Sequence, residues 1–184
     1  MDDMDVMDQR ILSALRAHGA DPRVASAARA LSLAGEHGAL WLATGLVGAA
    51  VDGTRRGSWL RGTALVAGAH VASMAVKRVV RRARPEHVEP LVRTVGPHSF
   101  PSSHAASATA AAVALGALGT YGTYAIRPLA AAMCLSRLVA GVHYPSDVAA
   151  GAALGALTAR LGARWMRHGA RREGHGAKGQ GRRP

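Results

Sequence analysis

The chain has 184 residues, which suits one domain, and its 49% hydrophobic content comes largely from Ala, Val and Leu, with only 4% aromatic residues. A single cysteine, Cys134, excludes an intramolecular disulfide. The net charge of +12 would ordinarily suggest a nucleic-acid or anionic-membrane partner. However, the charge is unevenly distributed, with an acidic N-terminus and a run of Arg and Lys at the other end. We therefore expect no nucleic-acid partner.

Residues 1–33 are predicted to form two short amphipathic helices. Apolar positions such as Ile11, Leu12 and Leu15 recur among Arg and Asp, and Asp21-Pro22 interrupts the pattern. Helices of this kind lie in the plane of a membrane surface with their apolar face in the lipid. We expect them to precede a transmembrane domain over residues 34–166.

Five apolar runs predict an all-α fold, a polytopic membrane bundle of about five transmembrane helices. A spanning helix needs about 20 apolar residues, and only one run is that long. Frequent Gly, Ala and Ser favour close helix packing in lipid. A soluble all-helical core is the alternative. The basic, glycine-rich tail, residues 167–184, is predicted to be disordered. The runs cover residues 37–51, 62–76, 104–126, 128–142 and 148–159.

Arginines in the connecting segments predict the orientation. With five spans, Arg55, Arg56 and Arg61 lie on the same side as Arg127 and the basic tail. The positive-inside rule makes that side cytoplasmic. We therefore expect a multi-pass protein of the plasma membrane, with the segments 77–103 and 136–147 facing outward.

The first cluster of charge on the outer side is KRVVRRARP, residues 77–85. Lys77 and Arg84 are seven residues apart, nearly two helical turns, so both cations can converge on one anion. Arg supplies a planar fork for phosphate oxygens and Lys a point charge. The alternative is a basic patch that binds anionic lipid headgroups. We predict that role for Arg78, Arg81 and Arg82.

The second cluster is SFPSSHAASA, residues 99–108. Ser102 and Ser103 precede the longest apolar run, where a helix N-cap belongs. The free N–H groups of a helix start and the positive end of its dipole bind anions. His104 stands in the first turn, close enough to exchange a proton with a bound anion. A simple Ser cap beside an interfacial His is the alternative.

The third cluster is SRLVAGVHYPSD, residues 136–147. Arg137 lies within an apolar run, where a charge indicates a functional site. His143 follows, and Pro145 predicts a helix start whose first turn contains Asp147. The carboxylate can therefore hold one imidazole nitrogen and leave the other free to attack. A buried Arg–Asp pair with a spectator His is the alternative.

These clusters, K-x6-R-P, P-S-x-H and S-R-x5-H-x3-D, resemble the three signature motifs of the type 2 phosphatidic acid phosphatase superfamily. The resemblance implies that His143 is the nucleophile of a phosphohistidine intermediate, that Asp147 orients it and that His104 is the general acid. Many members have Gly where this chain has Ser103, which leaves less room for the phosphate. The implied phosphate-binding residues are Lys77, Arg84, Ser102, Ser103 and Arg137.

Two stretches, SLAGEHGALW and SFPSSHAAS, look similar to the decaprenylphosphoryl-5-phosphoribose phosphatases within that superfamily. The resemblance implies a polyprenyl-linked substrate and a decaprenylphosphoryl ribose product, used in cell-wall arabinan synthesis. Undecaprenyl pyrophosphate, phosphatidylglycerophosphate and phosphatidate are alternative substrates. An inactive membrane scaffold whose basic tail binds lipid or RNA is an alternative of another class.

We expect neither a metal nor a cofactor. The sequence offers no carboxylate cluster for a divalent ion. His37 and His98 are not spaced like zinc ligands. His70, in the middle of an apolar run, is expected to be a hydrogen-bonded neutral core residue rather than a relay.

Overall fold

The computed structural model describes residues 3–94, 96–119 and 122–179, except for the side chains of residues 3 and 167–179. Within that part of the chain every regular element is helical, as predicted, apart from one isolated bridge between Ala83 and His98. The helices are α1 Asp3–Ala17, α2 Pro22–Ala34, α3 Ala39–Val51, α4 Arg56–Val80, α5 Ser103–Ala114, α6 Arg127–Val139 and α7 Pro145–Gly179. Short helical turns occur at His18–Ala20, Glu36–Gly38, Gly53–Arg55 and Gly122–Ile126.

Two N-terminal helices are present, separated where the sequence predicted. Asp21 caps α2, because its carboxylate accepts the backbone N–H of Arg23 at 2.7 Å, and Pro22 occupies the first turn. Both helices pack against the rest of the bundle. Leu12 of α1 is fully buried, and Asp8 and Ser32 are also buried. The expected position of these helices on a membrane surface stays a prediction.

The longest apolar run, residues 104–126, does not form the single helix that its length predicted. Helix α5 ends at Ala114, and the chain turns through a segment with glycine at positions 116, 119 and 122. A Cβ on Gly122 would lie 2.8 Å from the carbonyl oxygen of Gly116. The glycines therefore permit a close approach that side chains would block. As a result, α5 has only 12 residues.

Helix α5 lies at the centre of the bundle, against α4, α6 and α7. Its Ala residues are almost entirely buried. Helix α7 approaches it closely, since glycine leaves room where a side chain would clash. A Cβ on Gly151 would lie 2.3 Å from the backbone oxygen of Ser102, and a Cβ on Gly155 would lie 2.1 Å from that of Ala106. Small residues thus bring the start of α7 next to the start of α5.

One described segment, Gly53–Val80, is long and apolar enough to cross a bilayer by length and composition. The count of about five spans therefore stays a prediction. The prediction that residues 167–184 are disordered was wrong over residues 167–179, because helix α7 continues to Gly179; residues 180–184 lie outside the described part of the chain. Several aliphatic side chains of α3, α4 and α7 are more than half exposed, namely Val47, Val51, Val71, Val79, Leu157 and Leu161.

Candidate active site

A cavity of about 260 Å³ opens among α2, α4, α5 and α6 and the segments that follow α4 and α6. Its volume is close to the lower end, about 300 Å³, of the range for small-molecule sites. The three sequence clusters meet here, although they are far apart in the chain. Six of the eight predicted site residues line the cavity: Lys77, Arg84, Ser103, His104, Arg137 and His143.

His143 lies two residues before α7, and Asp147 lies in the first turn of that helix. The Nδ1 atom of His143 lies 3.5 Å from Oδ2 of Asp147 and has no closer acceptor. The same Oδ2 accepts the N–H of Tyr144 at 2.9 Å, which fixes the carboxylate below the ring. His143 reaches the cavity wall, whereas Asp147 is fully buried behind it. The carboxylate therefore lies near one imidazole nitrogen, and its predicted role in orienting the ring stays a prediction.

Burial sets the charge states of this pair. Desolvation lowers the pKa of the His143 imidazole to about 3, although the neighbouring Asp147 carboxylate acts in the opposite direction. Burial alone would raise the pKa of Asp147, but His143, the amide of Tyr144 and the charge of Arg82 bring that pKa below its ordinary value. At neutral pH the site therefore combines a neutral imidazole with an ionised carboxylate.

Two arginines bring positive charge to the cavity while their own side chains are held in place. Arg84 donates to the carbonyl oxygens of Gly96 at 3.1 Å and Val142 at 2.8 Å. Arg137 is almost fully buried, and its Nη1 donates to the hydroxyl of Ser32. Its Nε is buried without a hydrogen-bond partner. A buried donor without a partner in a cavity is suited to an anion.

Lys77 also lines the cavity, but its ammonium group is already engaged. Its Nζ donates to three backbone oxygens, those of His98 at 3.2 Å, Ser99 at 3.0 Å and Pro101 at 3.0 Å. These bonds use all three donors of the ammonium group. Lys77 therefore holds the loop before α5 and adds positive charge to the cavity.

The two serines that were predicted to bind phosphate have different surroundings at the start of α5. Ser102 is the N-cap, as predicted, and its hydroxyl accepts the N–H of Ala105. Its own N–H donates to the backbone oxygen of Asp147 at 2.9 Å. Ser102 is fully buried and does not line the cavity. Ser103 does line it, in the first turn of α5, where backbone N–H groups have no acceptor within the helix.

His104 is anchored by α2. Its Nε2 lies 3.0 Å from the carbonyl oxygen of Ser32. A carbonyl only accepts, so Nε2 carries a proton and Nδ1 is left to exchange one. Ser32 holds Arg137 through its hydroxyl and His104 through its carbonyl. Sequence reasoning missed Ser32, which stood in an apparently amphipathic surface helix.

Arg82 has a different role from the one predicted. The sequence placed it in a headgroup-binding patch, and this was wrong, because Arg82 turns inward to Asp147. It donates to Asp147 Oδ1 at 3.0 Å, to Asp8 Oδ2 at 3.0 Å and to the hydroxyl of Ser146 at 2.7 Å. Asp5 is a further, more exposed partner at 3.3 Å.

Arg78 and Arg81, the other two arginines of the predicted headgroup patch, are exposed. Their exposure leaves them available to lipid headgroups, and that role stays a prediction. No signal in the sequence distinguishes Arg82 from them, since all three lie in one basic run. Among the described residues, no group of three His, Cys, Asp or Glu side chains is placed to hold a metal ion.

Comparison with known proteins places these residues in a recognised family pattern. The sequence pattern of the PAP2 superfamily matches residues 59–170, which include all three clusters. A decaprenylphosphoryl-5-phosphoribose phosphatase of Mycolicibacterium smegmatis is 45% identical over 132 residues, 71% of this chain and 72% of that protein. The protein of the same name from Mycobacterium tuberculosis is 44% identical over 137 residues, 73% of this chain and 76% of its own length.

Two solved structures share the fold. A bacterial vanadium-dependent iodoperoxidase superimposes with a TM-score of 0.68 at 16% identity, over 84% of this chain and 48% of its own. A transmembrane PAP2-type phosphatidylglycerolphosphate phosphatase from Bacillus subtilis gives a TM-score of 0.51 at 19% identity, over 90% of this chain and 94% of its own. At these identities the likeness concerns the fold alone.

Proposed function

The chain belongs to the PAP2 superfamily and is a phosphatase, and from this premise we propose that it hydrolyses a membrane lipid phosphate through a phosphohistidine intermediate. We infer that the substrate is decaprenylphosphoryl-5-phosphoribose and the product decaprenylphosphoryl ribose. One observation carries the reaction type: His143, with the Asp147 carboxylate 3.5 Å from its Nδ1, lies at the wall of a cavity that Arg84 and Arg137 also line. The identity to the two mycobacterial phosphatases supports the substrate.

In the first step the phosphate group enters the cavity, and its non-bridging oxygens contact Arg84, Arg137 and the first backbone N–H groups of α5. Nε2 of His143 attacks the phosphorus, and the bond from phosphorus to the sugar oxygen breaks. Positive charge develops on the imidazole, so Asp147 draws the Nδ1 proton closer. Arg84 and Arg137 supply the positive charge that this step needs.

His104 supplies the proton that the leaving oxygen needs. A phosphate dianion next to the ring favours the doubly protonated imidazole, since opposite charges attract. Its Nδ1 proton passes to the sugar oxygen. In the second step the neutral ring accepts a proton from water, the water oxygen bonds to phosphorus, and the bond between phosphorus and His143 breaks. Inorganic phosphate leaves and the starting state returns.

The surface suits a bilayer. The exposed aliphatic side chains of α3, α4 and α7 form the kind of apolar surface that lipid covers. Arg56 lies at the start of α4, and Lys77, which lines the cavity, lies near its end. The cavity is therefore at the end of α4 opposite the segment that contains Arg55, Arg56 and Arg61. The positive-inside rule then supports a multi-pass protein of the plasma membrane whose cavity faces outward, within reach of a lipid-linked substrate.

Phosphate release by the detergent-purified protein tests the substrate. With EDTA present, we expect hydrolysis of decaprenylphosphoryl-5-phosphoribose to exceed that of undecaprenyl pyrophosphate, phosphatidylglycerophosphate and phosphatidate by at least roughly tenfold in kcat/KM. A preference for another lipid would overturn the substrate and leave the reaction type in place. Folded protein that releases phosphate from none of them would point to the scaffold alternative.

The acid role of His104 predicts an effect that depends on the leaving group. His104→Ala is expected to reduce kcat by roughly a hundredfold or more on lipid substrates, whose alkoxide needs a proton. Nitrophenyl phosphate has a good leaving group, so the variant's rate of phosphoenzyme formation from it, measured in a single turnover, should fall much less. Equal losses on both substrates would contradict the role. His18, exposed at the end of α1, provides a matched His→Ala control.

A further inference from the structure

The cavity continues beyond the groups that handle the phosphate. Its wall also contains polar side chains that the mechanism does not use, among them Glu36, His37 and His70. His70 was expected to be a hydrogen-bonded core residue, and this was wrong. It faces the cavity, and its Nδ1 is buried without a hydrogen-bond partner. These residues come from the turn between α2 and α3 and from the middle of α4.

This group lies next to His104. A Cβ on Gly35 would lie 2.7 Å from the His104 ring, so the turn that begins there packs directly against that ring. A Cβ on Gly38, at the other end of the turn, would lie 3.8 Å from Nδ1 of His70. The turn therefore runs from His104 to His70. Because His104 protonates the leaving oxygen, the leaving group must extend toward these residues.

The backbone of this turn has an unusual conformation at two residues. His37 has a φ of 53° and Gly38 a φ of 75°, so both adopt the left-handed conformation. This conformation is uncommon for a residue with a side chain, and it often occurs where a side chain must be directed to a function. The His37 ring lies 6.5 Å from the His70 ring, centroid to centroid. The two imidazoles therefore lie near each other, and the Glu36 carboxylate lines the same cavity.

We propose that Glu36, His37 and His70 form a subsite that binds the hydroxyl groups of a pentose in the leaving group. The inference rests on the proposed function, which places a ribose there. A carboxylate accepts hydrogen bonds from sugar hydroxyls, as it does from ribose in dinucleotide sites. Imidazole nitrogens can donate or accept, so His70 Nδ1 gains the partner that it lacks. A diacylglycerol leaving group has no free hydroxyl for these residues.

A soluble probe tests the subsite without the lipid. Ribose 5-phosphate carries the sugar hydroxyls, and ethyl phosphate lacks them. We expect ribose 5-phosphate to inhibit nitrophenyl phosphate hydrolysis roughly tenfold or more strongly than ethyl phosphate does. His70→Phe, which keeps a ring and removes both nitrogens, should bring that ratio close to one, as should Glu36→Ala. His70→Asn, whose amide lies near the position of Nδ1, should restore part of it.

The same variants are then tested on the phosphoribosyl lipid. We expect His70→Phe to lower kcat/KM roughly tenfold to a hundredfold there, and to change nitrophenyl phosphate hydrolysis less than about threefold. His18→Phe is the surface control. Equal losses on both substrates, or an unchanged inhibition ratio, would overturn the subsite. If the inhibition ratio behaves as expected but the unmodified protein does not hydrolyse the lipid, the proposed function fails and the subsite remains.

Discussion

His143→Ala is expected to reduce phosphate release by more than roughly a thousandfold, because it removes the proposed nucleophile. The variant should still fold. The His143 side chain contributes to the wall of an existing cavity, so its loss enlarges that cavity without disturbing the helix core. The melting temperature in detergent should therefore change little, while inorganic phosphate production falls to background.

Trapping the phosphoenzyme separates a nucleophile from a binding residue. Acid-labile, base-stable phosphate should label the unmodified protein during turnover and be absent from His143→Ala. The label should accumulate in His104→Ala, which can form the phosphoenzyme from nitrophenyl phosphate but loses the group that activates water. His18→Ala should label normally. A His143→Ala protein that keeps its label would assign the nucleophile to another residue.

The sequence located the site because ionisable residues are conspicuous in apolar surroundings. Arg137 and His143 stand among small apolar residues, and Asp147 follows a helix-starting proline, so each could be singled out by local physical rules. Arg137 and His143 line one cavity, and Asp147 lies next to His143, while their roles stay predictions. Ser102 shows the limit of the same reasoning, because it was predicted both to cap α5 and to bind phosphate. The cap uses its hydroxyl, and burial keeps it from the cavity.

The fold was harder to predict where contacts between residues distant in the sequence determine the structure. Composition and periodicity indicated an all-helical chain, and the two N-terminal helices were recognised. The break after Ala114 was missed, since glycine is common in membrane helices and hydropathy alone does not reveal a turn. Ser32 was missed for a similar reason. Its partners His104 and Arg137 are 72 and 105 residues away, a separation that no local pattern encodes.

Arg82→Gln is expected to lower kcat roughly tenfold to a hundredfold, as the loss of partners that orient catalytic groups often does. Arg82 forms an ion pair with Asp147, which lies next to His143, and it forms another with Asp8 of α1. Removing it leaves two buried carboxylates without their cation. The free energy of unfolding should fall by about 3 kcal/mol, the lower end for a broken buried pair, because Arg82 is itself one-quarter exposed.

The pH profile distinguishes a positioning role from simple destabilisation. The positive charge of Arg82 is one of the causes that hold the pKa of Asp147 below its ordinary value. Without that charge the pKa rises, so Asp147 becomes protonated at a higher pH. Activity should therefore be lost at a higher pH as the medium is acidified. Arg82→Lys, which restores the charge, should reverse most of this shift.

Asp8→Asn tests whether α1 acts on the site through Arg82. This substitution should lower the melting temperature and change kcat little, because Arg82 keeps its bond to Asp147. Combined with Arg82→Gln, its effects should be clearly less than additive, since the two residues share one network. Arg78→Gln, an exposed arginine of the same basic run, is the matched control. An Arg82→Gln protein with unchanged kcat and an unchanged acid limb would show that the ion network serves folding alone.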